Sequence, residues 1–396
     1  MNAVTRLKAY RGPALLSYGF RPFFLFGALY AALAVLAWLP MFNGRLALWT
    51  SFGALDWHAH EMLYGFLPAV ITGFLLTAIP NWTGRLPIQG QPLFVLVLLW
   101  LAGRVAVTFS AEIGWLAAML IDVSFLALVV AATTREIIAG SNWRNLKVVG
   151  MVALLLAGNI AFHLEAHLRG TAEYSTRIGI AVTVMLISLI GGRIVPSFTR
   201  NWLVRENPGR LPVPFARFDG VVVLFSAATL VLWCALPSGR LTAAALAIAG
   251  VLQIVRLGRW AGDRTGRDRL VLILHVGYLF VPVGFLLAGA GAAGFITADA
   301  GIHAWMVGAG GVMTLAVMTR ASLGHTGRAL VASPATQAIY LAIVLAALVR
   351  IGALLAPAEN LRLLDIAALA WCAAFFGFAV AFGPLLLRAQ RPSRSH

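Results

Sequence analysis

Residues 58–79 read HAHEMLYGFLPAVITGFLLTAI, and this stretch decides the fold class. Only Glu61 among its members carries a formal charge. About 20 apolar residues in a helix are enough to cross the hydrocarbon core of a bilayer. The apolar residues form a nearly continuous run and lack the period-two alternation of a barrel strand. The stretch therefore predicts a transmembrane helix with histidines at its amino end.

The remainder of the chain repeats this pattern, which predicts an all-α, polytopic transmembrane helix bundle of about twelve spans. No linker is long enough to separate domains, so residues 1–396 are expected to form a single integral membrane domain. The amino end (1–21) and the tail (388–396) are expected in the cytoplasm. The predicted spans are residues 22–39, 58–79, 93–110, 113–133, 146–167, 177–199, 217–236, 241–258, 270–289, 303–320, 335–355 and 363–387.

Composition supports lipid as the solvent and argues against nucleic acid as a partner. Apolar residues make up 61% of the chain and charged residues 11%, against roughly 25% charged residues in a soluble domain. The net charge of +16 is scattered between apolar runs, whereas a nucleic-acid-binding protein gathers basic residues on one face. The two cysteines, Cys234 and Cys372, exclude a disulfide framework or a Cys-x-x-Cys metal site.

The distribution of Lys and Arg predicts the orientation. The side of the membrane that holds both termini carries 22 of them, the opposite side carries 5, and Arg104, Arg193 and Arg350 fall within spans. Because basic loops stay on the cytoplasmic side during insertion, both termini are expected in the cytoplasm. The sequence thus predicts a multi-pass protein of the bacterial inner membrane whose first span is retained.

Five histidines are expected at the outer membrane face. His58 and His60 begin the second span, His163 and His167 end the fifth, and His303 begins the tenth. Residues four apart on a helix share a face, so His163 and His167 suit two imidazoles aimed at one metal. His58 and His60 point nearly opposite ways on a regular helix and are expected to serve different partners unless the first turn is irregular.

The chemistry of imidazole favours a metal or haem at this face. Imidazole suits zinc, copper and iron, haem takes one or two axial ligands, and a copper site takes about three. Five histidines are enough for both haem and copper. Glu61 and Glu165 are candidate acceptors for imidazole N–H groups, and Met62 is the nearest thioether. The alternative for each histidine is a hydrogen-bonded or solvated side chain at the interface.

Other polar residues in the spans are weaker candidates. His275 and His325 fall toward the cytoplasmic side, where they either form a second metal site or serve as a core and a loop histidine. Arg104 and Arg350 either pair with haem propionates or extend to the interface. Asp122, midway through the fourth span, needs a partner or a proton-transfer role.

Two short segments resemble each other. Residues 79–85 read IPNWTGR and residues 322–328 read SLGHTGR, and each closes a span that opens with a histidine. The similarity is compatible with an internal duplication.

Four motifs resemble the NnrS family of bacterial membrane proteins, and the likeness covers nearly the whole chain. They are WHAHEM at 57–62, GFLLTAIPNWTG at 73–84, GRIVPSFTRN at 192–201 and MTRASLGHTGR at 318–328. The resemblance implies a twelve-helix protein that binds haem and copper and belongs to the response to nitric oxide and nitrosative stress. The family's histidine-bearing motifs match His58, His60, His303 and His325, whereas His163, His167 and His275 are candidates by position.

Three functions remain open at this point. The first is a haem- and copper-containing protein that binds nitric oxide or derived species, with a respiratory-chain component as the expected electron donor. The second is a transporter of copper, haem or an iron complex, because Pro68, Pro80, Pro196 and Pro282 could interrupt spans. The third is a sensor or assembly partner of respiratory complexes. The sequence does not decide whether the protein is an enzyme.

Overall fold

The computed structural model describes residues 10–388, and these residues form helices and loops without a strand. Twelve helices of this part are long and apolar enough to cross a membrane, which confirms the predicted fold class and number of spans. The orientation of the termini stays a prediction. The helices are α1 (Phe20–Phe42), α2 (Ala54–Thr83), α3 (Gln91–Thr108), α4 (Trp115–Ala139), α5 (Trp143–Arg169), α6 (Glu173–Glu206), α7 (Arg217–Ala235), α8 (Arg240–Gly258), α9 (Arg269–Ala292), α10 (Asp299–His325), α11 (Pro334–Leu355) and α12 (Asn360–Leu387).

Helix α2 contains a π-helical segment, Glu61–Phe66, directly after His60. Short π-helical segments inside α-helices are rare and are frequent at functional sites. The helix ends where Gly84 adopts the left-handed conformation (φ 69°) and its N–H donates to the carbonyl of Pro80 at 2.9 Å. Glycine favours this ending because a Cβ is strained at positive φ.

Proline does not interrupt the spans in which the sequence placed it. Pro80, Pro196 and Pro282 each lie inside a continuous helix, and Pro68 follows the π-helical segment of α2. The departures from α-helical geometry are the π-helical segments instead.

Helix α10 repeats the local features of α2. A π-helical segment, Ala304–Gly311, directly follows His303, just as the other follows His60. Gly327 has φ 68° where Gly84 has φ 69°. Both the histidines and the glycines are separated by 243 positions in the sequence. The repeat of the sequence segment is therefore also a repeat of local backbone structure, which strengthens the case for an internal duplication.

Contacts within the chain define two units. The first comprises residues 10–176, 318–329 and 378–388 of the described chain, and the second comprises residues 177–317 and 330–377. In the first unit α1 packs against α2, and α4 packs against α2, α3 and α5. In the second unit α8 packs against α7 and α9, and α10 packs against α9 and α11. That residues 1–396 act as a single membrane domain stays a prediction.

The second unit contains a buried polar network around Arg256 of α8. Arg256 Nη1 donates to Tyr278 Oη at 2.8 Å and to Ser188 Oγ at 3.0 Å, and its Nε lies 3.4 Å from Asp219 Oδ1. Tyr278 in turn donates to Gln253 at 2.9 Å. A buried charge inside a membrane span is costly unless it is paired, and this network supplies the partners.

Close packing of α9 and α10 depends on Gly301. A Cβ at this position would lie 2.4 Å from the backbone nitrogen of Ala288. We expect Gly301→Ala to lower the free energy of unfolding by about 1–3 kcal/mol, because the two helices must move apart to make room for the methyl group. Thermal unfolding of the protein in detergent measures this change. The control is Gly220→Ala on α7, where no atom lies within 4 Å of the new Cβ. Equal stabilities of the two variants would contradict this account of the helix contact.

Candidate metal centre

Side chains from α1, α2, α3, α4 and α5 meet in one polar cluster inside the first unit. We call it the five-helix cluster. All members except Tyr30, which is partly exposed, are at least nine-tenths buried. The members are Tyr30, His60, Glu61, Arg104, Asp122, Asn159 and His163.

Local helix geometry explains how α2 and α5 each contribute two members. On α5, Asn159 and His163 are four residues apart and so share one face. On α2, the π-helical segment begins at Glu61, and the adjacent residues His60 and Glu61 both reach the cluster. His60 Nδ1 lies 2.8 Å from Glu61 Oε1. The irregular backbone thus allows neighbouring residues to contact each other in one buried site.

Arg104 of α3 holds the two carboxylates. Its Nη1 donates to both oxygens of Glu61 at 2.7 Å, and its Nη2 donates to Asp122 Oδ1. The hydroxyl of Tyr30 donates to Glu61 Oε2. A Cβ on Gly65 would lie 2.3 Å from Arg104 Nη1, so a glycine at this position leaves room for the guanidinium. The arginine fixes both acids where the imidazoles approach them.

Two imidazoles and one carboxylate form a potential metal site. The Nε2 atoms of His60 and His163 each lie 3.2 Å from Asp122 Oδ2. The ligand atoms of the three residues all lie within 4.8 Å of one another. Neighbouring ligands bound about 2.0–2.2 Å from one ion are separated by about 3 Å, so these residues fit a single ion with small adjustments. The group could therefore hold a metal ion.

The hydrogen-bonding groups at the centre of this triad also favour a cation. Because Nδ1 of His60 faces Glu61, the neutral ring keeps its proton on Nδ1 and presents a lone pair at Nε2. That Nε2 lies 3.0 Å from Asn159 Oδ1 and 3.2 Å from Asp122 Oδ2, both acceptors. A proton or a metal ion between these atoms removes the repulsion.

The formal charges of the cluster members also favour a bound cation. With both imidazoles neutral, Arg104 contributes one positive charge and Glu61 and Asp122 one negative charge each. The buried cluster then has a net charge of −1. An uncompensated charge in a water-free interior is expensive, so a cation, whether a proton or a metal ion, stabilises the cluster.

The structure places His58 and His167, the two other histidines of the first unit that the sequence expected at the outer face, outside the cluster. The ring of His58 stacks on Trp38 with centroids 4.1 Å apart, and the ring of His167 stacks on Trp115 at the same distance. His58 is partly exposed and His167 is exposed. Of the four histidines in this unit that were expected at the outer face, only His60 and His163 come together.

His303 and Arg350 belong to the second unit. His303 Nδ1 lies 3.0 Å from the carbonyl of Asp299, one helical turn earlier. The carboxylate of Asp299 also acts electrostatically on Arg350, which is partly exposed. Arg104, the other arginine expected to face haem propionates, is instead buried against the acids of the five-helix cluster.

The two histidines expected toward the other end of the spans have separate surroundings. His275 Nε2 lies 2.8 Å from Thr199 Oγ1 in the second unit. His325 belongs to the first unit, where its ring contacts those of Tyr18 and Phe20 at 5.7 and 5.6 Å.

The residues expected to support the imidazoles also differ in position. Glu61 contacts His60 directly. Glu165 instead accepts hydrogen bonds from the backbone and side chain of Ser175, at 2.8 and 2.7 Å, at the start of α6. Met62 is partly exposed on the π-helical segment.

Sequence reasoning left Asn159 and Tyr30 out and gave Asp122 no defined partner. The signal for Asn159 was its spacing of four residues from His163, which is the same spacing that drew attention to His167. The signal for Asp122 was an acid midway through an apolar span. The sequence carries no signal that points to Tyr30, because an isolated tyrosine in a span is common.

Comparison with known protein families matches residues 14–390 to the model described as NnrS protein. The chain belongs to the NnrS family. A search of curated proteins found no match. The segment matched to NnrS includes every member of the five-helix cluster and all twelve spans.

Proposed function

We propose that this NnrS protein is a haem- and copper-binding protein of the bacterial inner membrane that binds nitric oxide or species derived from it during nitrosative stress. The observation that carries the proposal is the buried triad of His60, Asp122 and His163, whose potential ligand atoms all lie within 4.8 Å of one another. Membership of the NnrS family and twelve membrane-spanning helices support it.

The triad fits copper better than haem. Imidazole nitrogen suits copper as well as non-haem iron and zinc, and the carboxylate of Asp122 completes a site of three ligands. Among these metals, copper is the one that the resemblance to the NnrS family implies. Haem does not fit there, because the rings of Phe52, Phe162 and Tyr64 lie only 5.1 to 5.6 Å from that of His60. We therefore propose copper for the triad. Haem is proposed at partly or fully exposed histidines, either at His58 or His167 in the first unit or, as a separate site, at His303 in the second unit.

The residues around the triad have defined roles in this proposal. A bound copper ion supplies a coordination position for nitric oxide and can exchange one electron. His60, Asp122 and His163 hold the ion, and Glu61 orients His60 by accepting its Nδ1–H. Arg104 holds Asp122 and Glu61 in place. The electrons are proposed to come from a respiratory-chain component.

The proposal is tested by metal analysis of protein purified from copper-supplemented, haem-replete cells. We expect His163→Ala to lose most of its copper and the spectral response to nitric oxide, because the triad loses a ligand. Leu164→Ala is the matched control, since Leu164 is the next residue on the same helix and its side chain is exposed. Full copper retention in His163→Ala, or an equal loss of copper in both variants, would contradict the proposed site.

Transport of copper, haem or an iron complex is the second candidate. The observation that favours it is the repeated departure from α-helical geometry in α2 and α10, each of which has a π-helical segment directly after a histidine. Irregular helices at matching positions of an internal repeat are a feature of transporters. Counterflow of a copper ion into proteoliposomes would favour this function, whereas a resident metal centre gives no counterflow.

A further inference from the structure

One side of the five-helix cluster is closed by aromatic rings. The ring of Phe52 lies 5.3 Å from that of His60 and 5.4 Å from that of His163, measured between centroids. Phe162 lies 5.1 Å from His60 and 5.4 Å from Phe52, and Tyr64 lies 5.6 Å from His60. We call Phe52, Phe162 and Tyr64 the aromatic wall. It covers both imidazoles of the proposed copper site.

Phe52 differs from the other two members because it lies on a loop. Phe162 belongs to α5 and Tyr64 to the π-helical segment of α2, whereas Phe52 lies in the non-helical segment between α1 and α2. Its side chain is only 7% exposed, so it separates the histidines from the end of the bundle where the loop lies. A loop residue can move without bending a span, which makes Phe52 the movable member of the wall.

Ser110 fixes the loop that carries Phe52. The hydroxyl of Ser110, itself 2% exposed, accepts from the backbone N–H of Ser51 at 2.8 Å and contacts the hydroxyls of Ser51 and Thr50 at 3.0 and 3.2 Å. Next to it, the N–H of Ala111 donates to the carbonyl of Trp49 at 3.0 Å. These hydrogen bonds to the turn between α3 and α4 therefore hold the loop in the position in which Phe52 covers the imidazoles.

The aromatic wall is expected to distinguish between ligands by their charge. An anion that passes between aromatic rings must give up its hydration without receiving a counter-charge, and the cost of this step is large in a low-dielectric interior. The π faces of the rings are also electronegative and so repel anions. An uncharged diatomic molecule loses little hydration and passes when Phe52 moves slightly.

We propose that Phe52 is the residue that determines which ligands reach the buried triad: it admits uncharged diatomic molecules and keeps out hydrated anions such as azide or nitrite. The inference rests on the proposed function, because it takes the copper to be bound by His60, Asp122 and His163. Ser110 acts as a positioning residue that keeps Phe52 closed.

The test compares ligand binding rates in full-length, copper-loaded protein in detergent. Stopped-flow absorption measures the association of nitric oxide and of azide with wild type, Phe52→Ala and Ser110→Ala. We expect Phe52→Ala to bind azide at least about tenfold faster, equivalent to a barrier lower by ~1.4 kcal/mol, with a much smaller change for nitric oxide. Ser110→Ala should shift the azide rate in the same direction by a smaller factor. The matched control is Phe295→Ala, a loop phenylalanine that is 84% exposed.

The outcomes separate the two proposals. Copper content is measured first, and a wild-type protein without copper in the triad would overturn the proposed function and this inference together. Copper bound as expected, with equal azide rates in wild type and Phe52→Ala, would overturn the inference alone. If Phe52→Ala loses copper, Phe52→Leu takes its place, because leucine keeps an apolar side chain at this position. A higher ratio of azide to nitric oxide association rates in Phe52→Leu than in wild type would then support the inference. An unchanged ratio in Phe52→Leu would also count against the inference.

Discussion

Asp122→Asn protein from copper-supplemented cells should be nearly free of copper, although its side chain has almost the same size. Asp122 is the member of the triad that both imidazoles contact, and its Oδ2 also accepts from Asn159 at 2.8 Å. The amide that replaces it supplies no negative charge to the metal. Changes to residues that merely support ligands lower metal affinity roughly 10- to 100-fold, and loss of a ligand should exceed that range.

The matched control for this experiment is Asp365→Asn on α12, where the acid is exposed. Equilibrium competition with a copper chelator gives the affinity of each variant. The expected order is wild type equal to Asp365→Asn, with Asp122→Asn far weaker. A copper affinity of Asp122→Asn close to that of wild type would show that the ion binds without this carboxylate.

Arg104→Met should be the most destabilising single substitution in the five-helix cluster. The substitution removes the cation that Glu61 and Asp122 share and leaves two buried carboxylates without it. Breaking a buried ion pair by removing one partner typically costs about 3–5 kcal/mol. Thermal unfolding in detergent, followed by circular dichroism, measures the loss.

Two further variants identify the cause of that loss. Arg85→Met removes a surface ion pair with Glu136, in which the arginine side chain is 41% exposed, and should cost no more than ~1 kcal/mol. The double variant Arg104→Met, Glu61→Gln should be more stable than Arg104→Met alone, because one uncompensated charge has been removed. A double variant no more stable than the single one would mean that packing of the arginine, and not its charge, stabilises the cluster.

The number and places of the spans follow from the sequence because lipid imposes a simple rule. Each helix must present about 20 apolar residues, and the twelve predicted segments coincide with the twelve helices. The ends differ by a few residues, as in α6, which continues to Glu206 instead of ending at position 199. Polar residues beyond the apolar core can continue a helix, and hydropathy does not detect them.

The site was harder to predict from the sequence, because the position of a residue along the helix axis determines which residues of neighbouring helices it contacts. His163 and His167 share a face of α5, but four residues advance the helix by about 6 Å. His163 consequently reaches the buried acid Asp122, whereas His167 lies about one turn farther along the helix, beside Trp115. The spacing of residues along a helix predicts which face they share. It does not predict the level along the helix axis at which neighbouring helices carry their polar groups.

The partners of His60 could not be derived from a regular helical period either. Contact between the adjacent side chains of His60 and Glu61 occurs at the start of the π-helical segment, and no pattern in the apolar residues marks that segment. The long-range partners, Asp122 and Arg104, depend on how α2, α3 and α4 pack, which the sequence does not state.

The widened turn of α2 also makes the length of this helix as important as its composition. Deletion of a single codon within Glu61–Phe66 would let the segment relax to ordinary α-helix, while the helix before it and the helix after it keep nearly the same relative rotation, because a π-helical turn holds about one residue more than an α-helical turn. His60 and Glu61 would then be neighbours on a regular helix, about 100° apart, and would no longer both face the cluster even though both remained encoded. Homologous chains that share the histidine but lack the extra residue should therefore not be assumed to share the metal chemistry.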